Sequence, residues 1–334
     1  MRTDGNNLPP TGGRWDWTPV LLLPIAGAAG LLLTPSLSTW ITLTSAGLAM
    51  GMLIFLVASG LTVVFGLMDV LNFGHGAFIT VGAYAAFTAM AMTPGLVNSP
   101  ALSDNLIALL VALAAAAASG AIVGLLFERL FVRKVYGDHL KQILVTMGGM
   151  IIIEQVVLMI WGPQERLVAL PPALRGVVPL GEATIEKYRL LVIVVGLALF
   201  AGMALVLSRT RIGLLIRAGV EDHEMVRALG YRIRRLFVCV FVAGAALAGI
   251  GGVMWVLYRG TLSAGIGDEL ITLVFIVIVL GGLGSIVGCF VGALLVAVIS
   301  NYTAFLVPSM ALVSTLVVMV GVLLWRPSGL YPLK

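Results

Sequence analysis

The sequence predicts an all-α fold, a polytopic transmembrane helical bundle with about ten spans. Three observations lead to this prediction: 60% of the 334 residues are hydrophobic, only 10% are charged, and the mean hydropathy is +1.11. A soluble domain carries roughly 25% charged residues, so this chain lacks the residues that a water-facing shell would need. Its apolar stretches also run for about 20 residues, the length that crosses a hydrocarbon core roughly 30 Å thick.

Ten apolar runs are candidate membrane spans. They cover residues 19–34, 41–66, 75–93, 105–127, 143–161, 189–207, 236–258, 269–281, 286–306 and 309–325. The second run is longer than one crossing needs, so we expect it to tilt or to continue beyond the membrane. We divide the chain into residues 1–40, an N-terminal tail with an extra first span, and residues 41–331, the main transmembrane domain. A cleaved signal peptide is the alternative for the first span.

Positive charge is concentrated in two loops, which predicts the orientation of the chain. Loop 128–142 carries four Lys or Arg residues and loop 208–235 carries seven, while loops 35–40 and 94–104 carry none. By the positive-inside rule we expect both basic loops to be cytoplasmic. Both termini would then also lie on the cytoplasmic side of the cell (inner) membrane. The net charge of +5 lies in these loops rather than in one basic patch, which excludes nucleic acid as the expected partner.

Loop 162–188 is the exception to this charge pattern. It falls outside although it contains Arg166, Arg175 and Lys187, which three acidic residues balance. Its length and its Pro171-Pro172 pair predict an ordered external cap.

Two glycine-rich breaks interrupt the apolar runs, one at residues 66–76 and one at residues 281–285. Irregular backbone at membrane depth is tolerated where protein buries it or where it lines a cavity. Paired breaks of this kind, which are broken or re-entrant segments, point to the pathway of a transporter. The alternative is two tight helical hairpins in which glycine supplies positive φ. The candidate pathway residues are Asn72, Gly74, His75, Gly76, Gly281, Gly282, Gly284 and Ser285.

His75 in the first break and Glu154 in an apolar span each have an alternative structural role. A lone His such as His75 is more often a hydrogen-bonding residue than a ligand, and no second His or Cys has the spacing of a metal site. Glu154 lies 11 residues past the start of its span, which places it roughly 16 Å deep. An intramembrane acid marks a functional site by default, so Glu154 is also a candidate pathway residue. Hydrogen bonding between helices is its alternative role.

The loop at residues 209–231 predicts two short helices. Asp222 is placed to cap the second helix and Gly230 to end it. Helices this short are marginal in water, so we expect this segment to dock on a partner. The acidic cluster Glu221-Asp222-Glu224 would be repelled by an anionic leaflet, which favours a protein partner over a lipid-facing interfacial helix.

Four motifs together resemble the permeases of branched-chain amino-acid ABC importers, specifically the first of their two paired permease types. The motifs are Gly213 with Arg217-Ala218, Glu221-Asp222 and Ala228-Leu229-Gly230 in the loop; Asn72-Phe73-Gly74-His75-Gly76; Gly281-Gly282-Leu283-Gly284-Ser285; and Arg326-Pro327-Ser328-Gly329-Leu330. The resemblance covers about residues 44–331, in order. It identifies loop 208–235 as a cytoplasmic coupling-helix loop.

The resemblance implies a transport subunit, not an enzyme, that carries branched-chain or other hydrophobic amino acids, short amides or urea inward by alternating access. Its implied partners are a second related permease, two cytoplasmic ATPases, an external or periplasmic solute-binding protein and the lipid bilayer. No cofactor is expected in this chain, because ATP and Mg would be bound by the ATPases, and the sequence has no phosphate-binding loop motif. The implied ATPase-coupling residues are Arg211, Gly213, Arg217, Ala218, Glu221, Asp222, Ala228 and Gly230.

Three other functions remain to be weighed. A secondary transporter would use Glu154 for ion coupling, although such sites usually have several intramembrane carboxylates or unwound carbonyls. An intramembrane enzyme would need a nucleophile–base pair or a metal cluster within the spans. A channel would need a filter motif. The sequence shows no filter motif and no nucleophile–base pair or metal cluster within the spans, and Glu154 alone is thin support for an ion-coupling site.

Overall fold

The computed structural model describes residues 18–210, 213–215 and 233–332, and this part of the chain forms a helical bundle. Its helices are α1 (Thr18–Leu33), α2 (Leu37–Met68), α3 (His75–Met92), the single turn α4 (Pro94–Val97), α5 (Leu102–Leu130), α6 (His139–Trp161), α7 (Lys187–Arg209), α8 (Ile233–Arg259), α9 (Ile266–Gly281), α10 (Ile286–Leu306) and α11 (Ala311–Trp325). Each of the ten predicted runs has a helical counterpart. Within the described residues, eight segments are long and apolar enough to cross a membrane. The chain is therefore a multi-pass membrane protein. Helices α1 and α9, with 16 residues each, are the counterparts of the two predicted runs that are not among these eight segments.

Helix α2 is the central element of the bundle. Ser36 caps its start by accepting a hydrogen bond from the Thr39 backbone N–H. Its 32 residues are more than one crossing needs, as expected from the long second run. Of the most apolar stretch of this helix, 78% is buried. By contrast, only 11% of the corresponding stretches of α7 and α11 is buried. Helices α8, α10, α7 and α9 all pack around α2, so the core lies along this helix.

Small residues bring the central helices close together. A Cβ added to Gly60 in α2 would stand 2.1 Å from the carbonyl oxygen of Gly244 in α8, and one added to Gly82 in α3 would stand 2.3 Å from the Gly249 Cα. Gly120 in α5 approaches Ala245 in the same way. Lipid is as apolar as these side chains, so close packing through small residues is the main source of helix association in a membrane. The helices α2, α3, α5 and α8 therefore form one tightly packed unit.

The segment predicted to form an ordered cap folds into short strands. Strand β1 (Arg166–Leu167) pairs antiparallel with β4 (Thr261–Leu262), and β2 (Val177–Leu180) forms a hairpin with β3 (Ala183–Glu186). Asn105 at the start of α5 joins this cap to the bundle. Its Nδ2 donates to the carbonyls of Leu96 and Ser99, both at 2.9 Å, and its Oδ1 accepts the Ala173 N–H at 2.8 Å.

Helix α1, the extra first span, packs on the outside of the bundle against α10. Gly30 lies against the ring of Tyr302, and the Trp40 indole N–H donates to the Gly27 carbonyl at 2.7 Å. Helix α6 is also peripheral, because only 22% of its most apolar stretch is buried. It contacts the core mainly along α3. Because α6 is loosely attached, a seam runs between α3 and α6.

Candidate functional site

The first break is a tight connection of six residues between α2 and α3. Helix α2 ends at Met68 and α3 begins at His75. The reversal is made by Asp69, which has a left-handed conformation (φ 50°) and whose N–H donates to the Phe65 carbonyl at 2.9 Å. The glycines of this break were predicted to supply any positive φ in a hairpin, yet the described residue that does so here is Asp69. Gly74 instead permits close packing, because the Phe127 ring occupies the space of its missing Cβ.

Two polar side chains of α6 hold the backbone of the first break. The Leu71 N–H donates to Gln142 Oε1 at 3.2 Å, and the Phe73 N–H donates to Thr146 Oγ1 at 3.1 Å. Both acceptors are buried. Irregular backbone in an apolar environment must find partners of this kind. Sequence reasoning did not identify Gln142 and Thr146, although two polar residues one turn apart at the start of an apolar span were an available signal.

Asn72 and His75 are fully buried inside the bundle. His75 Nε2 lies 3.1 Å from the Val57 carbonyl oxygen in α2. Neither side-chain amide atom of Asn72 has a hydrogen-bond partner within the described residues, and the same holds for Nδ1 of His75. Buried polar groups of native proteins are nearly always paired, and an unpaired one costs about 1–3 kcal/mol. The break therefore buries polar groups for which the described residues provide no partner.

The second break lies between α9 and α10. Gly282 (φ 100°) and Gly284 (φ 80°) make its turn, and Ser285 caps α10 by accepting the Gly288 N–H at 3.1 Å. Gly281 and Gly288 are in backbone contact. This break is thus a tight hairpin whose turn depends on glycine.

The C-terminal segment closes over the second break. The Leu330 N–H donates to the Leu280 carbonyl and the Tyr331 N–H to the Gly281 carbonyl, both at 2.9 Å. Gly329 has φ 87° and touches Gly282. The Arg326–Leu330 motif was recognised from the sequence without a structural role, and these contacts give it one.

Both breaks lie at the same end of the bundle and touch each other. Gly66 near the end of α2 packs against Gly284. Asp69 Oδ2 is 3.4 Å from Nε2 of His139 at the start of α6. Residues 135–138, which lead into α6, are therefore at this end too. So is the start of α8, because the Phe237 ring lies 6.0 Å from the Tyr136 ring.

A seam between α3 and α6 runs away from the first break. Gly76 packs against Gly267 of α9 and the Met150 methyl group of α6. One turn further along α3, Thr80, Glu154 and Asp268 surround a cavity of about 10 Å³, which has room for about one water molecule.

The cavity beside Glu154 contains a second acid rather than a base. No base within a span was an obvious partner from the sequence, and the charged residue that shares its cavity is a second carboxylate, Asp268. Glu154 is half-buried and Asp268 is exposed. The described part of the chain has no group of three His, Cys, Asp or Glu side chains that could hold a metal ion.

The far end of the seam is aromatic and contains one cation. The Tyr84 and Trp161 rings lie 5.2 Å apart, and the Trp161 indole N–H donates to Thr88 Oγ1 at 3.0 Å. Arg166 Nη2 donates to the Trp161 carbonyl at 2.6 Å, and its guanidinium lies 5.7 Å from the centre of the Phe87 ring. None of these five residues was singled out as a site residue from the sequence.

A buried acid lies at the end of the bundle that contains the breaks. Glu128 is fully buried, its Oε1 accepts the Tyr136 hydroxyl at 2.8 Å, and its Oε2 has no partner within the described residues. Burial, and then the hydrogen bond with Glu128, raise the pKa of Tyr136 well above its usual range. Tyr136 therefore remains a donor to Glu128 at physiological pH.

Most of the predicted coupling residues lie outside the described residues. These are Arg211, Arg217, Ala218, Glu221, Asp222, Ala228 and Gly230. Gly213 is described: it is buried, and its N–H donates to Thr210 Oγ1 at 3.3 Å.

Comparison with known proteins shows similarity to one kind of transport protein. The profile of the branched-chain amino acid transport system / permease component family matches residues 43–323. The chain is 30% identical to the high-affinity branched-chain amino acid transport system permease protein BraD of Pseudomonas aeruginosa, over 85% of this chain and 93% of that protein. It is 29% identical to the corresponding protein LivH of Escherichia coli, over 85% and 92%. The LivH protein of Salmonella typhimurium is also 29% identical, with the same coverage. No solved structure matches the chain.

Proposed function

The chain belongs to the branched-chain amino acid transport permease family, and from this premise we propose that it carries leucine, isoleucine or valine inward as the permease subunit of an ATP-driven importer. The observation that supports this cargo most directly is the similarity to BraD across 85% of the chain. Other hydrophobic amino acids, short amides and urea are the alternative cargoes.

The proposed machine contains partners that supply what this chain lacks. Two cytoplasmic ATPases would bind ATP and Mg and dock on loop 208–235, a second related permease would complete the pathway, and a solute-binding protein would deliver cargo from outside. The concentration of Lys and Arg in loops 128–142 and 208–235 supports an inner-membrane orientation with both termini in the cytoplasm. The two breaks would then lie at the cytoplasmic end, close to the ATPases.

Helix α8 provides a direct mechanical route from the coupling loop to the first break. It begins at Ile233, within the last residues of that loop, and it contacts Gly60 of α2 through Gly244. Gly60 also packs against the His75 ring. A Cβ added to Gly60 would stand 3.1 Å from His75 Cε1. Helices packed this closely move as rigid bodies, so a tilt of α8 would shift the surroundings of His75.

We place the translocation pathway along the seam between α3 and α6, with the breaks as its cytoplasmic gate. The seam has polar side chains along its length, from Thr146 at the break through Glu154 to Arg166. Helix α6 is the loosely packed wall, and it holds the break through two hydrogen bonds that Gln142 and Thr146 accept from its backbone. Movement of α6 would release these bonds and expose Asn72. The gate residues are Asn72, Gly74, His75, Gly76, Gly281, Gly282, Gly284 and Ser285, and Glu154 lies further along the path.

Reconstitution of the chain with its three kinds of partner tests the function. In proteoliposomes, labelled leucine, isoleucine and valine should enter only when the binding protein and ATP are both present. Uptake of urea or acetamide without uptake of these amino acids would contradict the cargo. Uptake that follows a proton gradient and continues without ATP would contradict the ATP-driven mechanism.

A further inference from the structure

Two hydrogen-bond donors at the far end of the seam are buried without partners. The Tyr84 side chain is fully buried, and neither its hydroxyl oxygen nor Nε of Arg166 has a hydrogen-bond partner within the described residues. Such orphaned groups are rare in native proteins, and each one calls for an explanation. An absent ligand that accepts hydrogen bonds would satisfy both.

The two donors belong to one place in the fold. The Tyr84 ring packs 5.2 Å from the Trp161 ring, and Arg166 is anchored to the carbonyl of that same Trp161 through Nη2. Backbone pairing of Arg166 with Leu262 in the β1–β4 ladder fixes its position from the other side. Rigid elements therefore hold both side chains against the same residue, Trp161.

The electrostatics of this place favour an anion. Within the described residues, no carboxylate oxygen lies within 4.0 Å of the Arg166 guanidinium, whose close neighbours are the Trp161 carbonyl and the Phe87 ring. A guanidinium presents its N–H donors in a fixed fork that matches the geometry of carboxylate and phosphate groups. The acids Glu154 and Asp268 lie deeper: Glu154 precedes Trp161 by seven positions in α6, roughly 10 Å along the helix.

We propose that Arg166 and Tyr84 form a carboxylate-binding site at the outer end of the α3–α6 seam, and that it receives the α-carboxylate of the amino-acid cargo; the identity of that cargo rests on the proposed function. The site takes a small molecule rather than a side chain of the binding protein, because the Tyr84 hydroxyl and Arg166 Nε are both sealed from solvent. The cargo's ammonium group then points down the seam, toward Glu154 and Asp268.

The test measures binding by the purified importer complex in detergent, without the solute-binding protein. Bound ligand raises the thermal midpoint of unfolding, so titrations with L-leucine, leucinamide and acetate report whether the carboxylate is needed. We expect leucine and acetate to stabilise the wild type and leucinamide not to do so. In Tyr84→Phe and Arg166→Gln, the leucine concentration for half-maximal stabilisation should rise about tenfold, the loss of one charge-assisted hydrogen bond.

A matched variant separates this role from packing. Tyr188 is also buried, but its hydroxyl donates to the Met254 carbonyl at 2.8 Å. Tyr188→Phe should therefore lower the thermal midpoint without changing the leucine titration, whereas Tyr84→Phe removes an unpaired hydroxyl and should leave the unliganded midpoint equal or higher. Arg175→Gln serves as the control for Arg166, because Arg175 is exposed and bonded to the Leu170 carbonyl.

The outcomes separate this site from the proposed function. Unchanged leucine titrations in both variants, equal stabilisation by leucinamide, or no stabilisation of the wild type by any carboxylate would overturn the site. Variants that weaken only the affinity for the binding protein would also overturn it, in favour of a protein side chain as the occupant. Stabilisation of the wild type by acetate but not by leucine, with no leucine uptake, would contradict the cargo and support the carboxylate site.

Discussion

Gly66 of α2 lies so close to Gly284 of the second break that a Cβ added to Gly66 would stand 2.9 Å from the Gly284 Cα. The contact joins the two glycine-rich breaks, which are far apart in the sequence. Backbone, rather than a flexible side-chain end, occupies the space, so neither partner can yield by changing a rotamer. Any motion that opens one break must therefore change the packing of the other.

Replacement of Gly66 tests how tightly the breaks are coupled. Gly66→Ala should destabilise the protein by about 1–3 kcal/mol, the usual effect of overpacking a filled site, and should slow leucine uptake more than it lowers expression. The control is Gly202→Ala in α7, where a Cβ meets no atom within 4 Å and where Ala is the better helix former. An equal effect of both variants on the thermal midpoint would show that the contact is unimportant.

Thr146→Val tests whether α6 holds the first break. The variant keeps the shape of the side chain but removes the acceptor of the Phe73 N–H, and a buried N–H left unpaired costs about 1–3 kcal/mol. We expect a lower thermal midpoint and faster hydrogen exchange at residues 70–74. Thr303→Val is the matched control, because the Thr303 hydroxyl donates to the Ile299 carbonyl of its own helix. A midpoint that falls as far in the control would remove support for the role of Thr146.

Asn72→Leu tests whether the buried amide serves another conformation. Neither amide atom has a partner among the residues that the structure describes, so an apolar side chain of similar volume should leave the thermal midpoint unchanged or raise it. Transport should nevertheless fall at least tenfold, because the open gate would lose a polar group. Thermal unfolding and leucine uptake measured on the same preparation decide the matter. If stability and uptake fall together, the amide has partners in the closed state, and the interpretation fails.

The class of fold could be predicted because it depends on bulk hydropathy and on local breaks. The ten apolar runs became helices because a chain in a membrane must satisfy its backbone hydrogen bonds internally. Positive φ was foreseeable at Gly282 and Gly284, since glycine adopts it without steric cost. At Asp69 (φ 50°) it was not, because a left-handed Asp is uncommon and appears in no sequence pattern as such.

The contacts between helices could not be predicted from one sequence. Thr146 meets Phe73 and Tyr84 meets Trp161 only because α6 packs along α3 in one register, and apolar periodicity does not specify a neighbour. Glu154 was identified because charge inside a span is conspicuous by itself. Its neighbour Asp268 was overlooked, since it lies in the first turn of a short helix and resembles a loop residue. The roles of Glu221 and Asp222 in coupling stay predictions.

The double variant Glu221→Ala/Asp222→Ala tests whether loop 208–235 docks on the ATPases. We expect transport substrate to stimulate ATP hydrolysis several-fold less in the reconstituted complex, while basal hydrolysis by the ATPases persists. The matched control is Glu165→Ala/Glu182→Ala, which removes two exposed acids from the cap on the opposite side of the membrane. Stimulation that is unchanged in the coupling variant, or equally reduced in the control, would place the ATPase contact elsewhere.

Glu154→Gln separates an ATP-driven permease from a secondary transporter. Glu154 shares its cavity with Asp268 and Thr80, and a coupling ion or proton bound there would need its negative charge. If the path is driven by ATP, the variant should slow leucine uptake severalfold through the loss of one polar wall group, yet uptake should keep its full dependence on ATP. Neither protein should respond to a protonophore. Abolished uptake in the variant, combined with wild-type uptake that collapses under the protonophore, would establish Glu154 as an ion-coupling residue.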